Sequence, residues 1–213
     1  MEFTRLAFVY IHLIACCVAI GLVLMSDIAM VRNLFMNASG RHDREHLESL
    51  TKTVMIALFA LWITGIVIVS LDVYVDGMRY FMNPKLQAKV IIVSLLTLNG
   101  AILHHSILPA LQKAGSLLKL SMSSLAFAAL AGSVSGVSWF YAAMLGVGRP
   151  LSWKYTLVEL LIAYPVLIAG GTAMMLGLTF VAKYRLLLAF LEKHSRRELL
   201  RFDTSILHSQ PAQ

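Results

Sequence analysis

Five long runs without a charged residue dominate the sequence and limit what the chain can fold into. A hydrocarbon core of about 30 Å is crossed by about 20 helical residues at about 1.5 Å each, so every run is long enough to span a bilayer. Only 14% of the residues are charged, against about 25% in an average soluble domain. The sequence therefore predicts an all-α, polytopic bundle of five transmembrane helices. The runs occupy residues 6–26, 53–71, 90–112, 120–148 and 160–182.

The basic residues predict how this bundle is oriented. With five spans, the N-terminus shares one side of the membrane with the 72–89 and 149–159 segments. The 27–52 and 113–119 segments share the other side with the C-terminal residues, and that side carries more Lys and Arg. The positive-inside rule makes the second side cytoplasmic. We therefore predict that the N-terminus lies outside and the C-terminus in the cytoplasm, in the cytoplasmic (inner) membrane of a bacterial cell.

The domain organisation follows from the same pattern. We predict a five-helix bundle over residues 1–182 and a basic amphipathic cytoplasmic tail over residues 183–213. The net charge of +7 is explained by this topology and by contact with phospholipid. Nucleic acid is not expected as a partner, because the basic residues flank the spans and carry no stacking aromatics. The longest loop, 27–52, is too short for a catalytic domain, so any chemistry must lie within the membrane or at its edge.

Ionisable groups inside spans are costly and are therefore the first candidates for function. The first span contains His12, and the third contains His104 and His105. Because these two spans run in the same direction, His12 and Lys89 lie within about one helical turn in depth, whereas His104 lies about 22 Å deeper than Lys89. We expect an outer polar site around His12 with Lys89 and Asp72. An inner site is expected around His104 or His105 with Asp27 at the edge of the first span.

The angular positions on the third helix favour one of its two histidines. At 100° per residue, Lys89, Gly100 and His104 share a face, while His105 points away, so His104 is expected in the interior. Gly100 on that face would leave room for a flat ligand. Neutral imidazole is the usual axial ligand of haem iron and a common metal ligand. A single intramembrane histidine is nevertheless more often structural, bonded to a backbone carbonyl or a neighbouring hydroxyl.

The last two spans have the features of helices that support the bundle and carry no candidate ligands. In the fourth span, Ala128, Gly132 and Gly136 repeat at a spacing of four, which permits close approach of another helix. In the fifth span, Pro165, Gly170 and Gly171 predict a kink or a loosened backbone.

The first and third spans also resemble a known family. The first, FVYIHLIACCVAIGLVL, has a histidine near its outer end and a glycine nine positions on, and the third begins KLQAKVIIVSLLTLNGAILHH. Together these segments resemble the HemJ-type protoporphyrinogen oxidases and, more distantly, the CopD copper-resistance membrane proteins. Both are families of small bundles of four or more transmembrane helices. The resemblance implies a b-type haem, with His12 and Lys89 at the key positions and His104 as the later histidine of the third helix.

These observations predict a membrane b-type haem protein, with oxidase chemistry that passes electrons between a membrane-soluble donor and a quinone or oxygen. The candidate cofactor-binding residues are His12, His104, His105 and Lys89, with His12 and His104 as the metal ligands. Lys89 and Asp72 are the candidate catalytic residues, able to pair a haem propionate or to transfer a proton. Besides the lipid bilayer, a quinone or porphyrin-like small molecule is the expected partner, and a homo-oligomer or a membrane partner is compatible with the sequence.

Two alternatives remain open. A copper-handling or transport protein would use His12 with Met and Cys groups, although the methionines show no M-x-x-M ladder. A non-catalytic membrane subunit or sensor would use its basic tail to meet a partner. Copper analysis and an absorption spectrum separate these functions.

Overall fold

The computed structural model describes residues 2–36, 42–148, 151 and 153–208 and contains no strand among them. A π turn at Leu103–Ile107 joins the third and fourth helices, and two short 3-10 helices lie at Met78–Met82 and Leu117–Lys119. The predicted all-α fold is confirmed. The α-helices are α1 Glu2–Met36, α2 His42–Asp76, α3 Pro84–Ile102, α4 Leu108–Ala114, α5 Met122–Val147, α6 Leu157–Leu161 and α7 Ala163–His208.

Five stretches of these helices are long and apolar enough to cross a membrane, as predicted. The third stretch combines α3, the π turn and α4, and the fifth combines α6 with most of α7. We refer to the end of the bundle that holds the α2–α3 connection as the N-terminal end, and to the opposite end as the tail end. The five stretches are Glu2–Arg32, Ser49–Asp76, Pro84–Ala114, Met122–Val147 and Leu157–Glu192.

The predicted tail is helical over the residues that the structure describes. Helix α7 continues without a break from the fifth span to His208, and residues 209–213 of the predicted tail lie outside the described residues. The side of the membrane on which each end lies stays a prediction.

Helix α5 occupies the centre of the bundle, and each of three buried clusters includes part of it. At the N-terminal end, Tyr141 and Leu145 pack with residues of α3, α6 and α7, and at the tail end Leu125 packs with residues of α1 and α7. Between these levels, Trp139 packs against α1, α2 and α3. The small residues predicted to bury the fourth span therefore belong to the helix with the largest buried share.

Two prolines explain where the helices depart from regular geometry. Proline has no N–H and its ring clashes with the carbonyl four residues earlier. Pro109 stands four residues after His105, and the backbone there widens so that the N–H of Leu108 bonds the carbonyl of Leu103, five residues back. Pro165 likewise follows the interruption between α6 and α7 at Ile162, close to the predicted kink.

Candidate functional site

His12 is half-buried and faces α2, where its ring meets a threonine. Nδ1 of His12 lies 2.7 Å from Oγ1 of Thr64. The Thr64 hydroxyl also lies 2.7 Å from the carbonyl of Ala60, to which it can donate. In that arrangement the hydroxyl accepts from the imidazole, Nδ1 carries the ring proton, and Nε2 is the nitrogen that could bind a metal.

A glycine on α2 makes room for this ring. Cε1 of His12 lies 3.6 Å from the position that a Cβ atom would occupy at Gly65. The ring thus lies against the backbone of α2 beside Thr64. This fixes the imidazole from two neighbouring positions on one helix.

A buried carboxylate holds the N-terminal end of the same helix pair. Asp72, only 8% exposed, accepts from Nε of Arg5 at 2.5 Å and from Nη2 at 3.3 Å. The Tyr80 side chain, in the 3-10 helix after α2, interacts with Asp72, and burial together with the Asp72 carboxylate raises the pKa of the Tyr80 hydroxyl above its ordinary value. Asp72 is therefore a buried carboxyl group paired with Arg5.

Lys89 lies near both groups from the opposing helix α3. Its side chain is half-buried, and its ammonium group interacts electrostatically with His12, Cys16 and Asp72. Three of the residues predicted for an outer site, His12, Lys89 and Asp72, thus share the N-terminal end of the bundle. We call them, with Thr64 and Arg5, the N-terminal polar cluster.

The two histidines of the third span do not join this cluster. His104 and His105 lie in the π turn, both exposed on the outside of the bundle, with their rings in edge contact and their centroids 5.3 Å apart. The interior position expected for His104 rested on 100° per residue, and the wider π turn changes that phase. Pro109 was the sequence signal for this change.

Asp27 is likewise separate from the two exposed histidines. It faces α5, where its Oδ2 lies 3.7 Å from the position of a Cβ atom at Gly136. No hydrogen bond or ion pair joins it to His104 or His105 in the part of the chain that the structure describes. Among the described residues, the structure thus does not bring Asp27 into contact with His104 or His105, and the inner site stays a prediction.

Sequence reasoning missed three members of this arrangement. Thr64 lies in an uncharged run, where a hydroxyl is usually bonded to its own helix. Arg5 and Asp72 are 67 residues apart, yet they follow from topology: one begins the first span and the other ends the second, so two antiparallel helices bring them to one level. Tyr80 lies four residues after the end of the second span at Asp76 and carried no separate signal.

No protein-family model, curated protein or solved structure matches this chain. The resemblance to the HemJ-type and CopD families therefore depends on the short motifs in the first and third spans.

Proposed function

We propose that the chain is a membrane b-type haem protein with a redox function, in which the N-terminal polar cluster binds the porphyrin. The observation that carries the proposal is the contact between Nδ1 of His12 and the Thr64 hydroxyl, which orients the ring and leaves Nε2 as the nitrogen that would bind iron. Ligating histidines generally donate their other ring N–H to an acceptor that sets the tautomer and the ring orientation. The hydrogen bond of His12 is thus compatible with both a structural and a ligating role.

The donor set fits a haem better than a bare metal ion. No group of three or more His, Cys, Asp or Glu side chains within the described residues could hold a metal ion. Haem iron already has four porphyrin nitrogens and needs only one or two protein ligands. His12 beside the Lys89 cation supplies one axial ligand and one charge for a haem. A copper-handling site would need further His, Cys or Met ligands.

The remaining residues of the cluster have assigned roles in this proposal. Haem, when bound, supplies one-electron redox chemistry. His12 binds the iron, Thr64 holds the imidazole, and Lys89 neutralises a propionate. Asp72, held by Arg5 and Tyr80, is the group that accepts or releases a proton at the N-terminal end. A membrane-soluble donor and a quinone or oxygen are the proposed redox partners, and the cytoplasmic membrane of a bacterial cell is the proposed location.

The test is the colour and metal content of the full-length chain purified in detergent. We expect a reduced-minus-oxidised spectrum typical of b-type haem, with haem iron present and copper absent. His12→Ala should lose the spectrum. The matched control is His104→Ala, which removes an exposed histidine and should keep it. A colourless wild-type protein, or a spectrum that persists in His12→Ala, overturns the proposal; stoichiometric copper supports a copper-handling protein instead.

A second comparison tests the role of Lys89. Lys89→Gln removes the cation beside His12 and should weaken haem retention, whereas Lys89→Arg keeps the charge and should restore it. Lys85→Gln removes a lysine one turn earlier on α3 and serves as the matched control. Equal haem retention in Lys89→Gln and Lys85→Gln would show that Lys89 does not bind the porphyrin.

A further inference from the structure

Asp27 places a carboxyl group against the backbone of the central helix. Its Oδ2 atom lies 3.7 Å from the position of a Cβ atom at Gly136 on α5, and its side chain is half-buried. Because Gly136 has no side chain, the carboxyl group occupies space that the side chain of a larger residue would fill. The Asp27 carboxyl group thus packs against one of the small residues that repeat along α5.

The depth of Asp27 follows from the residues that pack at the tail end. Leu34 is buried with Leu117 and Leu125, which lie in the turn before α5 and in its first turn. Asp27 precedes Leu34 by seven residues, or about 10 Å along α1. Its neighbour Gly136 is near the middle of α5, Met122–Val147. The carboxyl group is therefore inside the membrane-spanning bundle, whereas the end of the apolar run at residue 26 had indicated an edge position.

Within the described residues, Asp27 has no charged or hydrogen-bonding partner. None of the side-chain hydrogen bonds or ion pairs found there includes its carboxyl group. Helix α5 carries no charged residue, and its Tyr141 hydroxyl donates to the carbonyl of Leu160. On α1 itself the nearest charged residue in sequence is Arg32, and the charged residues towards the tail end of the neighbouring helices include Lys52 on α2 and Lys183 on α7.

We propose that Asp27 is a proton-binding site within the membrane-spanning bundle. An ionised carboxylate without a counter-ion is costly at membrane depth, and neutralisation by a proton removes that cost. A metal cation would require several oxygen ligands around it, and one carboxyl group beside a glycine does not supply them. This site is separate from the N-terminal polar cluster and does not depend on haem binding.

Labelling by an apolar carbodiimide tests the site in the wild-type chain. Dicyclohexylcarbodiimide enters the membrane and adds to protonated carboxyl groups, and mass spectrometry of the peptide that contains residue 27 reports the addition. We expect Asp27 in reconstituted vesicles to be modified by this reagent and not by a water-soluble carbodiimide. Above the titration midpoint, each further pH unit should lower the modification about tenfold, in proportion to the protonated fraction.

Two variants and one internal control define the site further. Asp27→Asn should remove the modification, and Glu159, an exposed carboxylate bonded to Thr156, should stay unmodified. Gly136→Val should reduce labelling because the branched valine side chain would fill the space that the Asp27 carboxyl group occupies. Gly132→Val is the matched control, since a Cβ at Gly132 meets nothing within 4 Å.

The proposal is overturned by either of two results in the wild-type protein: an unmodified Asp27 peptide, or equal modification by the water-soluble reagent. Equal labelling of Gly136→Val and Gly132→Val would overturn its position against α5. Circular dichroism and gel filtration of both variants show whether each is folded, and the wild-type labelling does not depend on them.

Discussion

His12 and Thr64 connect α1 to α2 through a single hydrogen bond of 2.7 Å between Nδ1 and Oγ1. When Thr64 donates to Ala60, its hydroxyl accepts from the imidazole and the ring proton is on Nδ1. The structural role that the sequence suggested for a lone histidine, a bond to a neighbouring hydroxyl, is therefore present. It leaves the second nitrogen available.

Thr64→Val removes the acceptor while keeping the shape of the side chain. We expect a loss of about 1 kcal/mol in stability from the unpaired Nδ1–H. If His12 binds haem, affinity should also fall about tenfold or more, because the ring is no longer oriented. Thermal unfolding and haem content of the purified variant measure the two effects.

Thr97→Val is the matched control for that substitution. Thr97 also accepts a side-chain N–H, from Trp62 at 3.0 Å, and donates to the carbonyl of Val93. Its loss should affect stability but leave haem content unchanged. A similar fall in haem content in both variants would mean that loosened packing, and not the orientation of His12, is responsible.

The ion pair of Arg5 and Asp72 should contribute modestly to the stability of the protein, and loss of Arg5 should cost more than loss of Asp72. The Arg5 side chain is 52% exposed and that of Asp72 only 10%, so water screens the pair and a coupling of about 1 kcal/mol or less is expected. Arg5→Gln should destabilise more than Asp72→Asn, because it leaves a charged carboxylate buried. A double-mutant cycle with thermal unfolding measures the coupling, and a zero coupling energy would contradict the pairing.

The sequence was sufficient to predict the five spans. It was insufficient to predict which side chains of each span face the interior of the bundle. In a bilayer, an uncharged run of this length must satisfy its own backbone hydrogen bonds and therefore forms a helix. Five helical spans thus follow from the pattern of uncharged runs. The orientation of His104 does not follow, because the regular helix used to predict it is interrupted by the π turn before Pro109. Asp27 shows a related failure: the first charge after an apolar run need not mark the membrane edge, since α1 continues to pack as far as Leu34.

The exposure of the histidine pair predicts its chemical reactivity. Diethyl pyrocarbonate modifies accessible neutral imidazoles, so His104 and His105 should react early, together with the exposed His194 of α7. His12 should react more slowly, because its ring is half-buried between α1 and α2. Peptide mass spectrometry over a time course measures the order. Modification of His12 before His104 would contradict the arrangement described for the third span.

Tyr80 should make the stability of the N-terminal end depend on alkaline pH. Burial, with the neighbouring Asp72 carboxylate, raises the pKa of its hydroxyl above the ordinary value of 10.0. The folded state therefore holds this proton more tightly than the unfolded state, and the contribution to stability is complete below pH 10.0 and declines as the pH rises beyond it. Tyr80→Phe lacks the hydroxyl proton and its interaction with Asp72.

Melting temperatures of wild-type protein and Tyr80→Phe, measured across neutral and alkaline pH, should show this decline. The wild type should be more stable by a constant margin below pH 10.0, and the two curves should converge above it. Tyr74→Phe, at a tyrosine that is 78% exposed, is the matched control and should follow the wild type. Curves that stay parallel through the alkaline range would mean that Tyr80 loses its proton equally readily in the folded and unfolded chains, which its burial beside Asp72 does not allow.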